Sequence, residues 1–236
     1  KPRDNIRSTL KDIARSALIG ARGNSGAIFS QYFSGLYISS EEKTEVTVSD
    51  LAKYFHEAYN KAYKALEEPV EGTVITLMRA WAVSFKESLE QRKSVKELFE
   101  SALMNTKRAL DDTTKTLKVL SPLGIVDAGA LGYYYFMDGF VQIMLGNTVY
   151  THPEPQAEIS SIVDAGIHAY GEHAEFPFRY CTEVLFESNI LDPDHFRDEL
   201  KPHGDCLLLS TGDNLARVHL HTNEPWEIIK RVSRLG

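Results

Sequence analysis

The chain has 236 residues, 43% of them hydrophobic and 25% charged, the balance of a globular protein long enough for two modest domains. Thirty-three acidic against 26 basic residues give a formal charge of −7 with no basic run, which argues against a nucleic-acid binder. Two cysteines, Cys181 and Cys206, are too few for a disulfide framework and point to a reducing cytoplasm. The charged start Lys1-Pro2-Arg3-Asp4 has no apolar stretch behind it, so no signal peptide is expected. Ala130–Leu145, the most apolar stretch, carries Asp138 and Gln142 and is too short to span a bilayer.

From Asp4 to Gly146 apolar residues recur at helical spacing. Ile6, Leu10, Ile13, Ala17 and Leu18 form a first stripe, and Ile28, Phe29, Tyr32, Phe33 and Leu36 a second. Leu51, Phe55, Ala58, Ala62 and Leu66 form a third, with Ser49 as its expected N-cap and Lys53 in place of a capping-box acid. Three more follow: Val74, Leu77, Met78, Trp81 and Phe85; Leu98, Ala102, Leu103 and Leu110; Leu131, Tyr135, Phe140 and Met144. Six helices of about 15–20 residues with short connections predict a mainly α, antiparallel helical domain over residues 1–146.

Residues 147–177 are expected to be a linker, because Pro153 and Pro155 interrupt any regular element. Within it, Glu158–Gly171 is left open as a short helix or a loop. Residues 178–236 then change period. Arg179–Phe186 alternates, Pro193–Leu200 reads as a helix, Cys206–Ser210 as a short apolar strand, Asn214–His221 alternates again, and Pro225 opens a helix to Leu235. Strand, helix, strand, strand, helix is a split βαβ order short of one last strand, a small and incomplete α+β domain.

Three helix starts contain glycine. Gly20-Ala21-Arg22-Gly23-Asn24-Ser25-Gly26-Ala27 joins two helical stripes; glycines permit close backbone approach, and the free amides of the next helix make the turn a candidate anion cradle. It follows no strand and contains no Gly-Lys-Ser/Thr, so it is neither a dinucleotide fingerprint nor a Walker loop. A tight connection capped by Asn24 or Ser25 accounts for the same residues. Arg22 is either a phosphate contact or a surface arginine. Glu71-Gly72-Thr73-Val74-Ile75-Thr76 and Val126-Asp127-Ala128-Gly129-Ala130 are similar starts, each also explained by simple capping.

In Leu215–His221 alternation places Ala216, Val218 and Leu220 on an apolar face and Arg217, His219 and His221 on the other. Two imidazoles at i and i+2 are close enough to share one metal ion, and Cys181 on the first strand is a candidate third ligand. One sulfur and two nitrogens suit zinc, leaving a fourth position open. Two solvated surface histidines remain the alternative, and a Cys–His nucleophile pair ranks below both. Cys206, in the run Cys206-Leu207-Leu208-Leu209, is expected to be a buried small hydrophobe. His56, His152, His173, His195 and His203 carry no special reading. The run Tyr133-Tyr134-Tyr135 is read as bundle packing with one ring at the rim.

The strings Gly20–Gly26, Glu71–Thr76 and Val126–Gly132 together resemble the nucleotide-binding DhaL-type domain, most closely as it occurs in the fatty acid kinase A subunit family, often labelled dihydroxyacetone kinase-like or "Dak phosphatase". The resemblance runs from about Asp4 to Gly236. It implies a helical barrel holding ATP and magnesium at one end, with Gly23, Asn24, Ser25 and Gly26 on the phosphate side, Thr73 and Thr76 lining the nucleotide, and Asp127 with Gly129 flanking sugar or base. For the second domain, the segments Tyr180–Glu183 and Val218–Thr222 resemble the family's middle domain, which implies that Cys181, His219 and His221 are associated with zinc. The resemblance further implies that the whole protein phosphorylates a fatty acid carboxylate presented by a lipid-carrying partner. A homo-oligomer is left open.

One departure matters. The family holds magnesium with an Asp-Gly-Asp-Thr-Gly loop that is missing here; Asp4 and Asp12 do not form it, and Asp111-Asp112 lies on a helix. Phosphoryl transfer depends on that metal, so this chain alone is expected to be inactive, as a fragment of a longer protein truncated at both ends. Two readings compete: a dihydroxyacetone kinase-like subunit, and a non-catalytic zinc module that grips a partner through the open sheet face.

Overall fold

The computed structural model describes residues 5–118, 120–147 and 177–236. Six helices come first: α1 (Ile6–Gly20), α2 (Gly23–Ser39), α3 (Val48–Ala65), α4 (Val74–Glu90), α5 (Val95–Thr116) and α6 (Ala128–Met144). There follow β1 (Tyr180–Glu187), α7 (Pro193–Leu200), β2 (Asp205–Gly212), β3 (Leu215–Thr222) and α8 (Pro225–Val232). The protein is thus mainly α, with a small three-stranded antiparallel sheet, as the periodicities predict. Glu158–Gly171, His152 and His173 lie outside the described residues.

Packing divides the chain into two compact units: Lys1–Val70 with Phe178–Gly236, and Glu71–Pro177. In the first, α1–α3 share a core with the sheet. The sheet order is β1-β3-β2, with β3 antiparallel to both neighbours. One face carries Leu207, Leu209, Val218 and Leu220 against Phe196 and Leu200 of α7 and Ile228 and Val232 of α8. The opposite face, the one a partner-gripping module would use, is open only at one end, where Cys181 is exposed and His221 half-buried. Helices α1 and α2 cover the rest, leaving Arg217 5% and His219 2% exposed. The cover is polar because α2 buries Ser30, Gln31 and Ser34. Gln31 and Ser34 donate to the Thr211 carbonyl, each at 3.3 Å, and Ser210 donates to the Ala27 carbonyl at 3.4 Å.

Helices α2 and α3 approach closely at Gly35, where a Cβ would stand 2.5 Å from the Ala58 Cα. Small residues at Ala52, Ala58, Ala62 and Ala65 give α3 a narrow buried stripe. Its cap is Thr47, not Ser49. Thr47 accepts from the Asp50 amide while the Asp50 carboxylate accepts from that of Thr47, a full capping box that begins ahead of the apolar stripe.

In the second unit, Trp81, Phe85 and Phe99 are fully buried, and Phe99 also meets Phe140 at 5.9 Å between ring centroids. Tyr133 is buried whereas Tyr135 is exposed, matching the expected division of the tyrosine run. The segment entering α6 is tied to α5: Thr114 donates to the Ile125 carbonyl at 3.1 Å, and the Asp127 amide donates to Thr113 Oγ1 at 3.1 Å. Gly72, at φ +87, packs against Thr116 from the α4 side.

Substituting Gly35→Ala forces a methyl into the α3 backbone, so a destabilisation of about 1–3 kcal/mol is expected. Urea denaturation followed by circular dichroism measures it, and an unchanged midpoint would contradict the close crossing.

Candidate functional site

Antiparallel pairing sets Cys181 opposite His221 and Glu183 opposite His219. Period-2 alternation puts Cys181 and Glu183 on the same side of β1, and Arg217, His219 and His221 on the same side of β3. Cys181 Sγ lies 3.9 Å from His219 Nδ1, and the imidazole centroids of His219 and His221 are 5.5 Å apart. Ligand atoms of Cys181, His219 and His221 all fall within 4.8 Å of one another, so one ion can gather the three. The reading of two solvated histidines fails at His219, which is buried.

Each imidazole is held at one nitrogen by a carboxylate. His219 Nδ1 is 3.0 Å from Glu183 Oε1, and His221 Nδ1 is 3.1 Å from Asp205 Oδ1. A neutral imidazole carries a single N–H, so a proton at Nδ1 leaves Nε2 as a bare lone pair. His219 Nε2 is buried without a hydrogen-bond partner. A buried acceptor in that state is costly unless something occupies it, and carboxylate–histidine pairs of this kind are the usual support of metal ligands. Burial pushes the Cys181 thiol up from its ordinary value, with the Glu183 charge adding to the effect.

Glu183 is the hub. Its Oε1 also accepts from the Gly23 amide at 2.8 Å, and its Oε2 pairs with Arg217 at 3.2 Å. Arg217 in turn donates to the carbonyls of Leu18 at 3.1 Å and Ile19 at 2.9 Å at the end of α1. The anion at the start of α2 is therefore a side chain of this protein. Helix α2 begins at Gly23 itself, with φ +60, so Asn24 and Ser25 sit exposed in its first turn and neither is the cap. Arg22 folds back onto the Ala21 carbonyl at 2.6 Å and that of Ile19 at 3.3 Å. Gly26 lies against the Ala21 backbone.

In the second unit the entries of α4 and α6 meet. The half-buried Asp127 carboxylate accepts from the amides of Ala130, Gly129 and Val74, so it caps its own helix and bonds to the first residue of α4. Burial nevertheless raises its pKa above the ordinary aspartate value, the amides pulling the other way. Thr73 stands at the N-cap position of α4 without a side-chain capping bond. Thr76 Oγ1 accepts from the Gly72 amide at 2.9 Å and donates to Glu71 at 2.7 Å, and Glu71 takes a bidentate pair from Arg79 at 2.6 and 2.7 Å.

Two readings of the sequence change. Cys206 is exposed, not a buried hydrophobe, because β2 is irregular between Asp205 and Leu208 and φ at Cys206 is +53. Glu183 and Asp205, which no motif singles out, prove to be the partners of the two histidines. The alternation of β1 places Glu183 on the face of Cys181, but only the fold brings Gly23 to it across 160 residues.

The fold is a helical domain with glycine-bearing helix entries followed by a small sheet carrying a Cys/His cluster, and its two parts match domains of a kinase-related family. The DAK2 domain family matches residues 1–142, and the family of middle domains like that of the fatty acid kinase A subunit matches residues 177–236. The chain belongs to the DhaL-type family of fatty acid kinase A subunits. An uncharacterized protein of Staphylococcus epidermidis ATCC 12228 is 31% identical over 238 residues, covering 98% of this chain and 43% of the relative. Uncharacterized proteins of Staphylococcus haemolyticus JCSC1435 and Staphylococcus aureus USA300 are each 30% identical, covering 96% and 98% of this chain and 42% and 43% of the relatives. The chain thus spans less than half the length of these relatives. Among the described residues, no helix is long and apolar enough to cross a membrane.

Burial pushes the Glu183 pKa up, but the bonds from His219 and Gly23 and the charge of Arg217 outweigh it, leaving it below the ordinary glutamate value of 4.5. A carboxyl whose native pKa is depressed stabilises the fold above the unfolded-state pKa and loses that contribution as pH falls through the native one. Glu183→Gln is therefore expected to be less stable at neutral pH and to lose less stability on acidification below 4.5 than the wild type. Denaturant titrations from neutral pH down to about pH 3 compare the slopes; parallel curves would remove Glu183 from this role.

Proposed function

We infer that this chain is the ATP-binding and middle region of a fatty acid kinase catalytic subunit, whose whole protein phosphorylates a fatty acid carboxylate presented by a lipid-carrying partner protein in the cytoplasm, giving an acyl phosphate. The observation that carries this reading is the succession, in one chain, of a DAK2 region at residues 1–142 and the middle-domain region at 177–236. A dihydroxyacetone kinase-like reading explains the first region only. A non-catalytic zinc module explains the second only, and α1 and α2 cover the Arg217 and His219 part of the sheet face it would use.

The residues proposed for the nucleotide are Gly23, Asn24, Ser25 and Gly26 on the phosphate side, Thr73 and Thr76 along the nucleotide, and Asp127 with Gly129 toward sugar or base. Of the α2 entry, the Gly23 amide is already taken by Glu183, so the backbone amides and exposed side chains of Asn24 and Ser25 are the donors proposed for phosphate. Asp127 suits a ribose hydroxyl or a base donor, because a carboxylate repels phosphate.

Among the described residues, no set of carboxylates fits the family's magnesium loop. Asp111 pairs with Lys107 and Asp112 with Lys115 on α5, and the family's aspartate loop is absent from the sequence. No phosphoryl-transfer step is assigned to these residues alone. Zinc does fit: one thiol, one buried imidazole nitrogen without a partner, and a second imidazole backed by a carboxylate converge at Cys181, His219 and His221. Bound there, zinc supplies a fixed positive charge. The protein's own residues orient the ligands, Glu183 and Asp205 through the Nδ1 atoms of the two histidines, while Arg217 fixes Glu183.

Elemental analysis of the purified chain is expected to give stoichiometric zinc in the wild type and its loss in both Cys181→Ser and His221→Ala. Zinc retained by both variants would eliminate the site. With MgATP, calorimetry is expected to show at most weak binding and a phosphate-release assay no turnover. Turnover by this chain would place magnesium ligands where none is recognised.

A further inference from the structure

A second cysteine stands on the far side of the same imidazole. Because β3 is the central strand, His221 has a neighbour on each side, pairing with Cys181 on β1 and with Asp205 on β2. Between Asp205 and Leu208 the register slips: three steps along β2 match the two steps from His221 to His219 on β3. Such a bulge sets two consecutive residues against one partner. Leu207 keeps to the apolar face and Leu208 pairs with His219, so Cys206 is the extra residue beside Asp205.

The local backbone is shaped around this point. A Cβ on Gly204 would run into the His221 carbonyl oxygen, so the chain entering β2 is pressed against β3. Cys206 follows at φ +53, a left-handed conformation that glycine adopts at lower cost. Strain of this sort at a non-glycine residue is common where a side chain is being aimed. Its outcome here is a second triad, Asp205, Cys206 and His221, whose ligand atoms all lie within 4.8 Å of one another. The two triads share His221.

We propose that Cys206 is the fourth ligand of the ion at Cys181, His219 and His221, making a closed two-cysteine, two-histidine site. The proposal rests on the three-ligand reading above and replaces the expected open position. Asp205 Oδ1, 3.1 Å from His221 Nδ1, holds the Nδ1 proton and so presents Nε2 to the ion. Cys206 is exposed, so it turns about χ1 toward the ion without displacing packed neighbours. Ligation takes the thiolate, and the thiol proton is released to solvent. A tetrahedral site with four protein ligands has the chemistry of a structural zinc centre: it has no position for water and ties all three strands together.

The test uses the whole chain, stripped of metal under reducing conditions and titrated with Co²⁺ and then Zn²⁺. Wild type is expected to take one equivalent of cobalt with tetrahedral visible absorption and strong thiolate-to-cobalt charge transfer. Cys206→Ser is expected to lose about half of that charge-transfer intensity, with zinc affinity lowered by more than about tenfold. Cys206→Gly suits the left-handed backbone, so its metal-free melting temperature should be no lower than wild type while its metal binding falls equally. A purely structural cysteine would leave metal binding intact in both variants, and that result overturns the proposal while sparing the three-ligand site. Two cobalt equivalents would also overturn it, by giving each triad its own ion. Absence of charge transfer in the wild type would overturn both readings.

Discussion

A partly buried carboxylate is favoured when its oxygens are answered, and Glu183 meets that condition from three directions. The Gly23 amide, the Arg217 guanidinium and the His219 imidazole converge on its two oxygens at 2.8, 3.2 and 3.0 Å. Each partner belongs to a different problem. Gly23 begins α2 and otherwise offers an unpaired amide with a positive helix end behind it. Arg217 is nearly buried and must place its charge somewhere. His219 has to present a chosen nitrogen. One side chain answers all three, and it joins the start of α2 and the Arg217 anchor of α1 to the sheet.

This arrangement alters what the glycine-rich turn offers a ligand. Helix starts attract anions because several amides point the same way with no partner. Here one of those amides is committed to an internal anion and Arg22 is committed to backbone carbonyls at the end of α1, so selectivity for an external phosphate passes to Asn24 and Ser25. At α4 and α6 a similar economy holds. Asp127 caps one helix and receives the first amide of another, so its carboxylate is already engaged by backbone donors.

Much of this is legible from residue order. The six helical stripes fall on α1–α6, and the switch to period 2 after Pro177 marks the strands. The Cys/His triad is legible too, because alternation fixes the face of His219 and His221 and an antiparallel neighbour brings Cys181 to it. Three things are not. Thr47 rather than Ser49 caps α3, since a cap is chosen by where the backbone leaves the helix and not by where apolar residues begin. Cys206 reads as buried because its neighbours Leu207, Leu208 and Leu209 are apolar, and a one-residue slip in register leaves no trace in composition. Glu183 reads as an ordinary strand residue because its partner Gly23 lies 160 positions away, beyond the reach of any local pattern.

The bonds from Arg217 to the Leu18 and Ile19 carbonyls span 199 and 198 positions, and they bear on how the chain is made. Helices α4–α6 are contiguous and can close their aromatic core as soon as they leave the ribosome. Helices α1–α3 cannot complete theirs until β3 has been synthesised, which at about 5–20 residues per second is a delay on the order of 10–40 s. During that interval the polar stripe of α2 and the carbonyl end of α1 face water without their sheet. Serines, a glutamine and bare carbonyls tolerate that exposure far better than a leucine face would. The polar docking surface thus lets the earlier-made helices wait for the later-made strand with little risk of binding the wrong partner.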